Sequence, residues 1–232
     1  MISFIIPAHN EEALLVDTLR ILRVSATELG GGQPFEIIVV DDASTDATAE
    51  IARSSGARVE TIDRRQIAAT RNAGAKVARG DLLIFVDADT HVSAETLRQA
   101  LAAVRDGAVG GGARFRFESG PRWAHVMGAI VGTVMRMLSW AAGCFIFARR
   151  VDFDAVGGFD ERYFATEEIV LSRALKRRGR MVIVPAPVVT SGRKALLHGP
   201  GELWRLTIAF LREGRGVVKR REGLHFWYDG RR

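Results

Sequence analysis

Two carboxylates separated by one small residue follow a short apolar run in the middle of the chain. Residues 82–86 are all apolar, and Asp87, Ala88 and Asp89 come directly after them. A run this short and rich in branched residues predicts a strand buried on both faces of a parallel sheet. Ligands of open α/β sheets bind beyond the carboxyl ends of the strands. Two hard oxygen donors at that position suit Mg²⁺ or Mn²⁺ carrying a diphosphate, with His91 as a further candidate ligand.

Polar residues also follow other predicted strands in the first half of the chain. Earlier strands are predicted over residues 2–6, 35–40 and 58–62. A helical pattern follows each of them, and we expect Pro7 to end the first strand. Asn10 is the predicted cap of the first helix, and Ser44 or Thr45 that of the second. Short connections between alternating strands and helices favour a parallel doubly wound sheet, so these polar strand ends should share one cleft.

The second half of the chain continues with a less regular pattern. Helices are predicted over residues 94–104, 123–140 and 166–175. Strands are predicted over residues 113–118, 143–148 and 181–184, and a flexible loop over 107–112. The chain is therefore predicted to be an α/β protein with a mostly parallel central sheet and helices on both faces. No domain boundary is expected before about residue 189.

Composition and charge restrict the classes of partner. The chain has 232 residues and a net charge of +6. Its basic residues are concentrated late in the sequence, at Lys176, Arg177, Arg178, Arg180, Arg212, Arg215, Lys219, Arg220, Arg221, Arg231 and Arg232. Such an excess suits phosphate-bearing ligands, anionic membrane surfaces or nucleic acid. The single cysteine, Cys144, excludes an internal disulfide and fits a reducing compartment.

No membrane-spanning segment or signal peptide is expected from the sequence. The apolar stretch 123–140 is interrupted by His125 and Arg136, whereas a span needs about 20 nearly uninterrupted apolar residues. Met1 leads directly into the first predicted strand without a basic segment. These features predict a cytoplasmic protein. Because 123–140 is apolar and the C-terminus is basic and aromatic, peripheral contact at the inner face of the membrane is a further expectation.

Five sequence fragments together carry a resemblance: they are "FIIPAHNEE", "EIIVVDDASTDAT", "TRNAGAKVARGDLLIFVDADT", "GCFIFARR" and "VGGFDERYFATEEIVLSRALKRRG". In this order, they resemble glycosyltransferase family 2, the inverting transferases of the GT-A fold. The resemblance implies a GT-A domain over 1–190, with a nucleotide-binding half at about 1–91 and an acceptor-binding half at about 92–190. Residues 191–232 are then a basic C-terminal extension. The implied donor is a nucleotide sugar.

The resemblance also implies roles for individual residues. Those matched to the nucleotide-binding motifs are Pro7, Ala8, His9, Glu11, Asp42, Arg71, Asn72 and Asp87. Asp42 corresponds to the aspartate that binds the base, although capping a helix is an alternative role for Asp41 and Asp42. Asp87 and Asp89 match the D-x-D motif that holds Mg²⁺ or Mn²⁺. Arg193 matches a basic residue that holds the diphosphate in some relatives.

The acidic pair Glu167 and Glu168 resembles the pair whose second member is the general base. Here that member is one methylene longer than the usual aspartate, and Val170 stands where a further acid is often found. The identity of the base is therefore open between Glu168 and Glu167. A Gln-x-x-Arg-Trp motif, typical of processive members, is not found, which favours single transfers to an acceptor. The sequence does not name the acceptor, and a lipid-linked one fits the apolar and basic surface predicted above.

Other functional classes fit the sequence less well. A nucleotidyltransferase usually places a glycine-rich, lysine-bearing loop after its first strand, where this chain has acidic residues. A dinucleotide-binding module requires G-x-G-x-x-G at the same place, and no glycine precedes Gly30. Nucleic-acid binding is disfavoured because no recognisable module accompanies the basic C-terminus. A catalytically inactive relative that only binds a sugar nucleotide remains an alternative.

Overall fold

A computed structural model of the chain describes residues 1–30 and 32–193. Its strands are β1 (Ile2–Ala8), β2 (Phe35–Asp42), β3 (Arg58–Ile62), β4 (Leu82–Val86), β5 (Thr90–His91), β6 (Gly110–Phe117), β7 (Phe145–Arg149) and β8 (Met181–Thr190). Its helices are α1 (Glu12–Thr27), α2 (Thr48–Ser54), α3 (Ile67–Val77), α4 (Ala94–Arg105), α5 (Arg122–Leu138), α6 (Arg150–Ala155) and α7 (Glu167–Lys176). The described strands form one sheet in the order β3-β2-β1-β4-β7-β6-β8-β5.

The first four strands are parallel, and helices cover both of their faces. β1 lies between β2 and β4 and is buried along its whole length. Phe4 and Ile6 belong to a core cluster that includes apolar residues of α1. Ile5, on the opposite face, belongs to a second cluster that includes Ala68 and Ala75 of α3. Side chains of a strand alternate between faces, so a continuous apolar run needs a helical layer on each side.

The rest of the sheet is mixed. β7 is antiparallel to both β4 and β6, whereas β6 pairs with β8 in parallel. The short β5 pairs with β8 in the antiparallel direction. The prediction of a mostly parallel sheet with helices on both faces is confirmed. One sheet passes through both predicted halves of the domain, whose boundary near residue 91 stays a prediction.

The prediction of a flexible loop over 107–112 is wrong for its second part. Gly110, Gly111 and Gly112 begin β6 and pair with β7. A Cβ atom on Gly111 would overlap the carbonyl oxygen of Val182 in β8. A Cβ on Gly112 would lie 2.8 Å from the Cβ of Ala141. These glycines therefore serve close packing between neighbouring segments, which glycine in a strand can also indicate.

Three predictions about the ends of elements are also wrong. β1 continues through Pro7 to Ala8, because its pairing with β4 stops at Ile5 and only β2 lies beside Pro7. Asn10 does not cap α1, since it adopts a left-handed conformation with a φ of 52° and Glu11 takes the cap position. At α2, the Asp46 carboxylate accepts the Thr48 N–H at 3.0 Å, in place of Ser44 or Thr45.

Other element ends differ from their predicted positions only in extent. The last strand, predicted over 181–184, continues to Thr190 because β6 pairs with it again from Val188 to Thr190, after a register shift beyond Val184. β2 likewise extends to Asp42, and both acids that follow the apolar run lie inside the strand. The predicted strand beginning at 143 starts at Phe145.

Helix α5 packs on β6 through its small residues and exposes its apolar ones. Ala124 is buried, and positions 128 and 132 are glycines that face Phe117 and Phe115. The exposed apolar side chains of α5 are Val126, Met127, Ile130, Val131, Val134, Met137 and Leu138. We call this group the α5 apolar face. No helix among the described residues has the length and hydropathy to cross a bilayer.

Candidate active site

The carboxyl ends of β1, β2 and β4 lie at one edge of the sheet, where the predicted cleft was expected. The loops after β1 and β2 are joined by hydrogen bonds. His9 Nδ1 lies 2.8 Å from the carbonyl oxygen of Asp42, and the Asn10 N–H donates to Ser44 Oγ at 2.9 Å. Asn10 Oδ1 accepts the Thr45 N–H at 2.8 Å. Pro7 and Ala8 themselves are buried inside β1.

Asp42 anchors the amino end of helix α3. Its Oδ1 accepts the N–H groups of Arg64 at 2.7 Å and Arg65 at 2.8 Å. Its Oδ2 accepts the Gln66 N–H at 3.0 Å and the Thr70 hydroxyl at 2.7 Å. A carboxylate at this end of a helix satisfies unpaired N–H groups and interacts favourably with the helix dipole. The structure thus shows Asp42 holding the turn that leads into α3 and Thr70 within it, and its contact with a nucleotide base stays a prediction.

Arg71 links three distant segments inside the domain. Only 2% of its side chain is exposed. One terminal nitrogen, Nη1, donates to Glu167 Oε1 at 2.7 Å. The other, Nη2, donates to Asp87 Oδ1 at 2.9 Å and to the carbonyl oxygen of Gly143 at 2.8 Å. Burial opposes the positive charge, but Asp87 and Glu167 outweigh it and raise the pKa of Arg71. Arg71 therefore lies within the site as a buried cation.

Asp87 and Asp89, the two acids of the D-x-D motif, are both half-buried beyond β4. Asp89 accepts the Ser191 hydroxyl at 2.5 Å and the Thr190 hydroxyl at 3.3 Å, so the end of β8 holds it in place. Burial, with the negative charges of Asp87 and Asp89, raises the pKa of the neighbouring Cys144 thiol. The thiol therefore stays protonated and carries no charge.

The residues after β4 have the donor chemistry for a divalent ion. No group of three or more His, Cys, Asp or Glu side chains suited to a metal occurs within residues 1–30 and 32–193. Mg²⁺ is commonly held by one or two carboxylates together with substrate phosphates, and Asp87 and Asp89 supply two. These residues fit such an ion. His91 lies half-buried in β5, opposite Val189, and its role as a ligand stays a prediction.

The acidic pair begins helix α7 in unequal surroundings. Thr166, just before the pair, has a left-handed φ of 65°, and its side chain makes no capping hydrogen bond. Glu167 is buried and paired with Arg71. Glu168 is half-buried, and its carboxyl carbon lies 4.0 Å from the point where a Cβ on Gly143 would stand. Burial, and next the charge of Glu167, raises the pKa of Glu168 to about 8, against the opposing effect of Arg71.

Helix α3 also holds the loop that leads into the acidic pair. Asn72 donates to the carbonyl oxygen of Phe159 at 2.9 Å and accepts the Phe159 N–H at 2.9 Å. The Gln66 amide donates to the carbonyl oxygen of Glu161. Asn72, which the resemblance placed in a segment lining the nucleotide pocket, makes these contacts with the loop.

Arg193 and Glu11 meet at the other side of the site. Arg193 Nη2 donates to Glu11 Oε2 at 2.8 Å, although the two residues stand at opposite ends of the described chain. The structure thus brings the predicted diphosphate residue to the loop predicted to contact the nucleoside. The remainder of the predicted basic extension, residues 194–232, lies outside the described residues.

A model of the family described as "Glycosyl transferase family 2" matches residues 3–164. This match covers well over half of the 232 residues. The chain belongs to glycosyltransferase family 2. The resemblance inferred from the five sequence fragments is thereby confirmed.

Curated relatives in family 2 match a shorter part of the chain. A validoxylamine A glucosyltransferase of Streptomyces hygroscopicus subsp. jinggangensis is 36% identical over 110 residues, which are 44% of this chain and 25% of that protein. An undecaprenyl-phosphate 4-deoxy-4-formamido-L-arabinose transferase of Pseudomonas aeruginosa is 40% identical over 96 residues, which are 38% of this chain and 28% of that protein. The matched region thus spans about a quarter of the length of these relatives.

Solved structures of glycosyltransferases share the fold. The mannosyltransferase PcManGT from Pyrobaculum calidifontis, in complex with GDP-Man and Mn²⁺, has a TM-score of 0.64 at 20% identity. The comparison covers 98% of this chain and 68% of PcManGT. S. aureus TarS 1-349, in complex with UDP-GlcNAc, has a TM-score of 0.63 at 21% identity, covering 82% of this chain and 58% of TarS 1-349. The fold of this family 2 chain is therefore the GT-A fold.

Sequence reasoning indicated the acids of this candidate site but not the contacts of the cation between them. The resemblance indicated Arg71, yet its burial depends on Glu167, which is 96 residues away. One local signal was present in the small residues around Arg71, which let α3 approach the sheet closely. A Cβ on Gly74 would lie 2.8 Å from a methyl group of Val40.

Proposed function

We propose that this chain is an inverting glycosyltransferase that moves a sugar from a nucleotide-sugar donor to an acceptor hydroxyl, one transfer at a time. The observation that carries the proposal is the pairing of two acids in different environments at the start of α7. Glu167 is neutralised by Arg71, whereas burial and Glu167 raise the pKa of Glu168 to about 8. A general base is most effective when its pKa lies near the working pH.

In this mechanism Glu168 acts as the general base. Its carboxylate accepts the proton of the acceptor hydroxyl while the oxygen attacks the anomeric carbon opposite the leaving diphosphate. A single displacement of this kind inverts the anomeric centre. Departure of the diphosphate builds negative charge, which nearby positive groups stabilise. Arg193, at the loop that contains Glu11, is the candidate basic residue for that diphosphate.

Asp87 and Asp89 would hold Mg²⁺ or Mn²⁺ in this proposal. The ion, when bound, supplies positive charge to the leaving diphosphate. The hydroxyls of Thr190 and Ser191 fix the Asp89 carboxylate, and Arg71 fixes that of Asp87. The complex of PcManGT with GDP-Man and Mn²⁺ supports divalent-metal use in this fold.

A lipid-linked acceptor at a membrane surface is the second part of the proposal. The α5 apolar face is exposed to solvent, with Met137 76% exposed and Val126 59% exposed. Large exposed apolar patches indicate sites of contact with proteins or membranes. The name of the Pseudomonas aeruginosa relative, an undecaprenyl-phosphate transferase, supports a lipid acceptor. Such an enzyme would act as a peripheral protein at the inner face of the membrane.

Release of nucleoside diphosphate from a panel of UDP- and GDP-sugars tests the enzymatic proposal. The acceptors are a short-chain polyprenol-linked sugar, which presents hydroxyl groups, in anionic vesicles and, separately, soluble sugars. Glu168→Gln retains hydrogen bonding but cannot take a proton, so it should lower turnover by roughly 10²-fold or more. Its dissociation constant for the donor should stay near that of the wild type.

Glu167→Gln is the matched control for this experiment. It keeps an acceptor for Arg71 and leaves the Glu168 carboxylate in place, so it should lose less turnover than Glu168→Gln. The reverse order would assign the base to Glu167. Donor binding without acceptor-dependent release would favour the inactive sugar-nucleotide-binding relative, and release of pyrophosphate from a nucleoside triphosphate would favour a nucleotidyltransferase.

A further inference from the structure

We infer that Arg71 is a positioning residue, which fixes the amino end of α7 against the D-x-D loop and thereby aims Glu168 at the reacting centre. This inference rests on the proposed function, in which Glu168 is the base. In this role Arg71 affects the reaction indirectly, by holding Glu167 and Asp87 in place. The resemblance implied a direct contact with the nucleotide, which a side chain only 2% exposed is poorly placed to make.

The contacts of Arg71 join the two catalytic segments directly. Nη1 is 2.7 Å from Glu167 Oε1 on α7, and Nη2 is 2.9 Å from Asp87 Oδ1 beyond β4. Nη2 also donates to the carbonyl oxygen of Gly143, which precedes β7. The planar guanidinium has its donors in a fixed fork, so it sets the distance and angle between the groups it binds. One side chain therefore links the start of α7 directly to the loop after β4.

The ion pair with Arg71 acts at the first residue of α7, whereas Asn72 and Gln66 hold the loop before the helix and Ser172 contacts Ala141 further along it. The side chain of Thr166, the cap residue, makes no capping hydrogen bond, and its left-handed conformation costs energy for a residue with a Cβ. The ion pair of Glu167 with Arg71 holds the first residue of the helix. Glu168 is the next residue, so its direction depends on the same contact.

The chemistry of the cluster explains why an arginine occupies this position. Asp87 and Glu167 are acids that face the same buried group, and an uncompensated charge in such a place is strongly destabilising. A lysine offers a compact ammonium without the planar fork and cannot reproduce the same three contacts in one plane. The Phe159 ring, 5.3 Å from the guanidinium carbon, packs against the cation as well.

The test compares Arg71→Met and Arg71→Lys with Arg150→Met. Arg150 is a suitable control because it is an arginine that is half-buried outside the site and donates to backbone carbonyls, those of Gly80 and Ala75. For each purified full-length variant, thermal unfolding, the donor dissociation constant, kcat and KM are measured.

Arg71→Met should lower kcat by roughly 10²-fold, the scale expected for misplacing a catalytic group by about 1 Å. The donor dissociation constant should change much less than kcat. Arg71→Lys should recover part of the lost kcat, and Arg150→Met should keep the wild-type kcat even where its stability falls. A loss in donor affinity as large as the loss in kcat would overturn the inference and make Arg71 a donor ligand.

Glu167→Gln provides a second variant in case Arg71→Met does not fold. It weakens the same contact from the other side, and we expect a loss of kcat of about tenfold with donor affinity retained. Wild-type kcat in Glu167→Gln and Arg71→Lys, with Glu168→Gln inactive, would overturn the positioning role alone. Full activity in Glu168→Gln would instead overturn the proposed function.

Discussion

The surrounding residues determine which hydrogen bonds and ion pairs each acid of the candidate site can make. The Asp42 carboxylate accepts hydrogen bonds from the backbone N–H groups of residues 64–66 and from the Thr70 hydroxyl. Glu167 is paired with Arg71, and Asp89 accepts hydroxyls from the end of β8. Glu168 combines burial with a neighbouring negative charge, which together favour its protonated form. Glu167 and Glu168 are therefore adjacent in the sequence but have different partners and different charge environments in the fold.

The pH dependence of transfer follows from the raised pKa of Glu168. A base must be deprotonated, so kcat/KM should increase as the pH rises and level off above about 8. In Glu168→Gln the same rise should be missing from the residual rate. A pH profile of nucleoside diphosphate release measures this. The expected pKa lies within the range from about pH 6 to about pH 9. A wild-type rate that stays constant over this range would contradict the assignment of Glu168 as the base.

The same shift makes a prediction about stability. The folded state binds the Glu168 proton more tightly than the unfolded state, whose pKa is near the ordinary 4.5. The stabilisation from this proton is complete below about 4.5 and is lost as the pH rises through about 8. Glu168→Gln should therefore gain stability relative to the wild type between these values, as measured by urea unfolding at several pH values. A difference independent of pH would contradict the shift.

At the scale of single residues, sequence reasoning located Asp42, Asp87 and Asp89 because they follow apolar runs, and it located the acidic pair through the resemblance to the family. The D-x-D acids lie beyond β4, and the acidic pair begins α7, as predicted. The sequence alone could not divide the roles of Glu167 and Glu168, since the division depends on Arg71 and Gly143. Those contacts join residues that are distant along the chain, and local patterns carry no information about them.

At the scale of elements, the sequence predictions were correct for strands with a local pattern and wrong where packing between distant segments sets the structure. The strands over 58–62 and 82–86 have the predicted bounds, and the second is an apolar run that ends at Asp87. The glycines at 110–112 were interpreted as a loop, yet they begin β6. Their lack of a side chain is required by Val182 and Ala141, which belong to segments far along the chain.

The two glycines of α5 give a matched test of how that helix is seated. A Cβ on Gly128 would lie 2.8 Å from the Phe117 ring, whereas one on Gly132 would make an ordinary contact of 3.5 Å with Phe115. Alanine favours a helix over glycine by about 1 kcal/mol, so Gly132→Ala should increase stability. Gly128→Ala should be less stable than Gly132→Ala by roughly 1–3 kcal/mol because of overpacking. Urea unfolding measures both, and equal stabilities would show that α5 does not rest on Phe117.

At the scale of the whole molecule, the α5 apolar face and the net charge of +6 predict binding to anionic membranes. Each basic residue near such a surface contributes about 1 kcal/mol. Co-sedimentation with phosphatidylglycerol vesicles should therefore be strong at low salt and fall as salt is added. Removal of residues after Gly214, which carry several of the basic residues, should weaken it too.

Matched double variants distinguish membrane binding through the α5 apolar face from binding through any exposed apolar residues. Ile130→Glu with Val134→Glu should weaken vesicle binding by at least about tenfold, which corresponds to about 1.4 kcal/mol. Val16→Glu with Val24→Glu on α1 changes two residues of similar exposure and should bind as the wild type does. If the wild type does not sediment with anionic vesicles at low salt, the membrane proposal fails and a soluble acceptor is indicated.

The overall fold could be predicted from the sequence because the order of its motifs is that of one family. Five fragments in the family's order predicted the GT-A fold, which the sheet topology and the solved relatives confirm. The antiparallel β7 in the middle of the sheet was not predicted. An apolar strand such as 145–149 has the same pattern in either direction, so its orientation is set by neighbouring strands.

Metal-dependent binding of a nucleotide sugar tests the central claim most directly. Thermal unfolding is measured with a panel of UDP- and GDP-sugars, in Mn²⁺ or in EDTA, for the wild type, Asp89→Ala and the surface control Asp17→Ala. A ligand at 100 times its dissociation constant adds about 2.7 kcal/mol to the folded state, which raises the midpoint by several degrees. We predict such a rise for at least one donor with Mn²⁺, retained in Asp17→Ala and lost in Asp89→Ala or EDTA. No shift with any donor, or an equal shift in EDTA and in Asp89→Ala, would contradict the account.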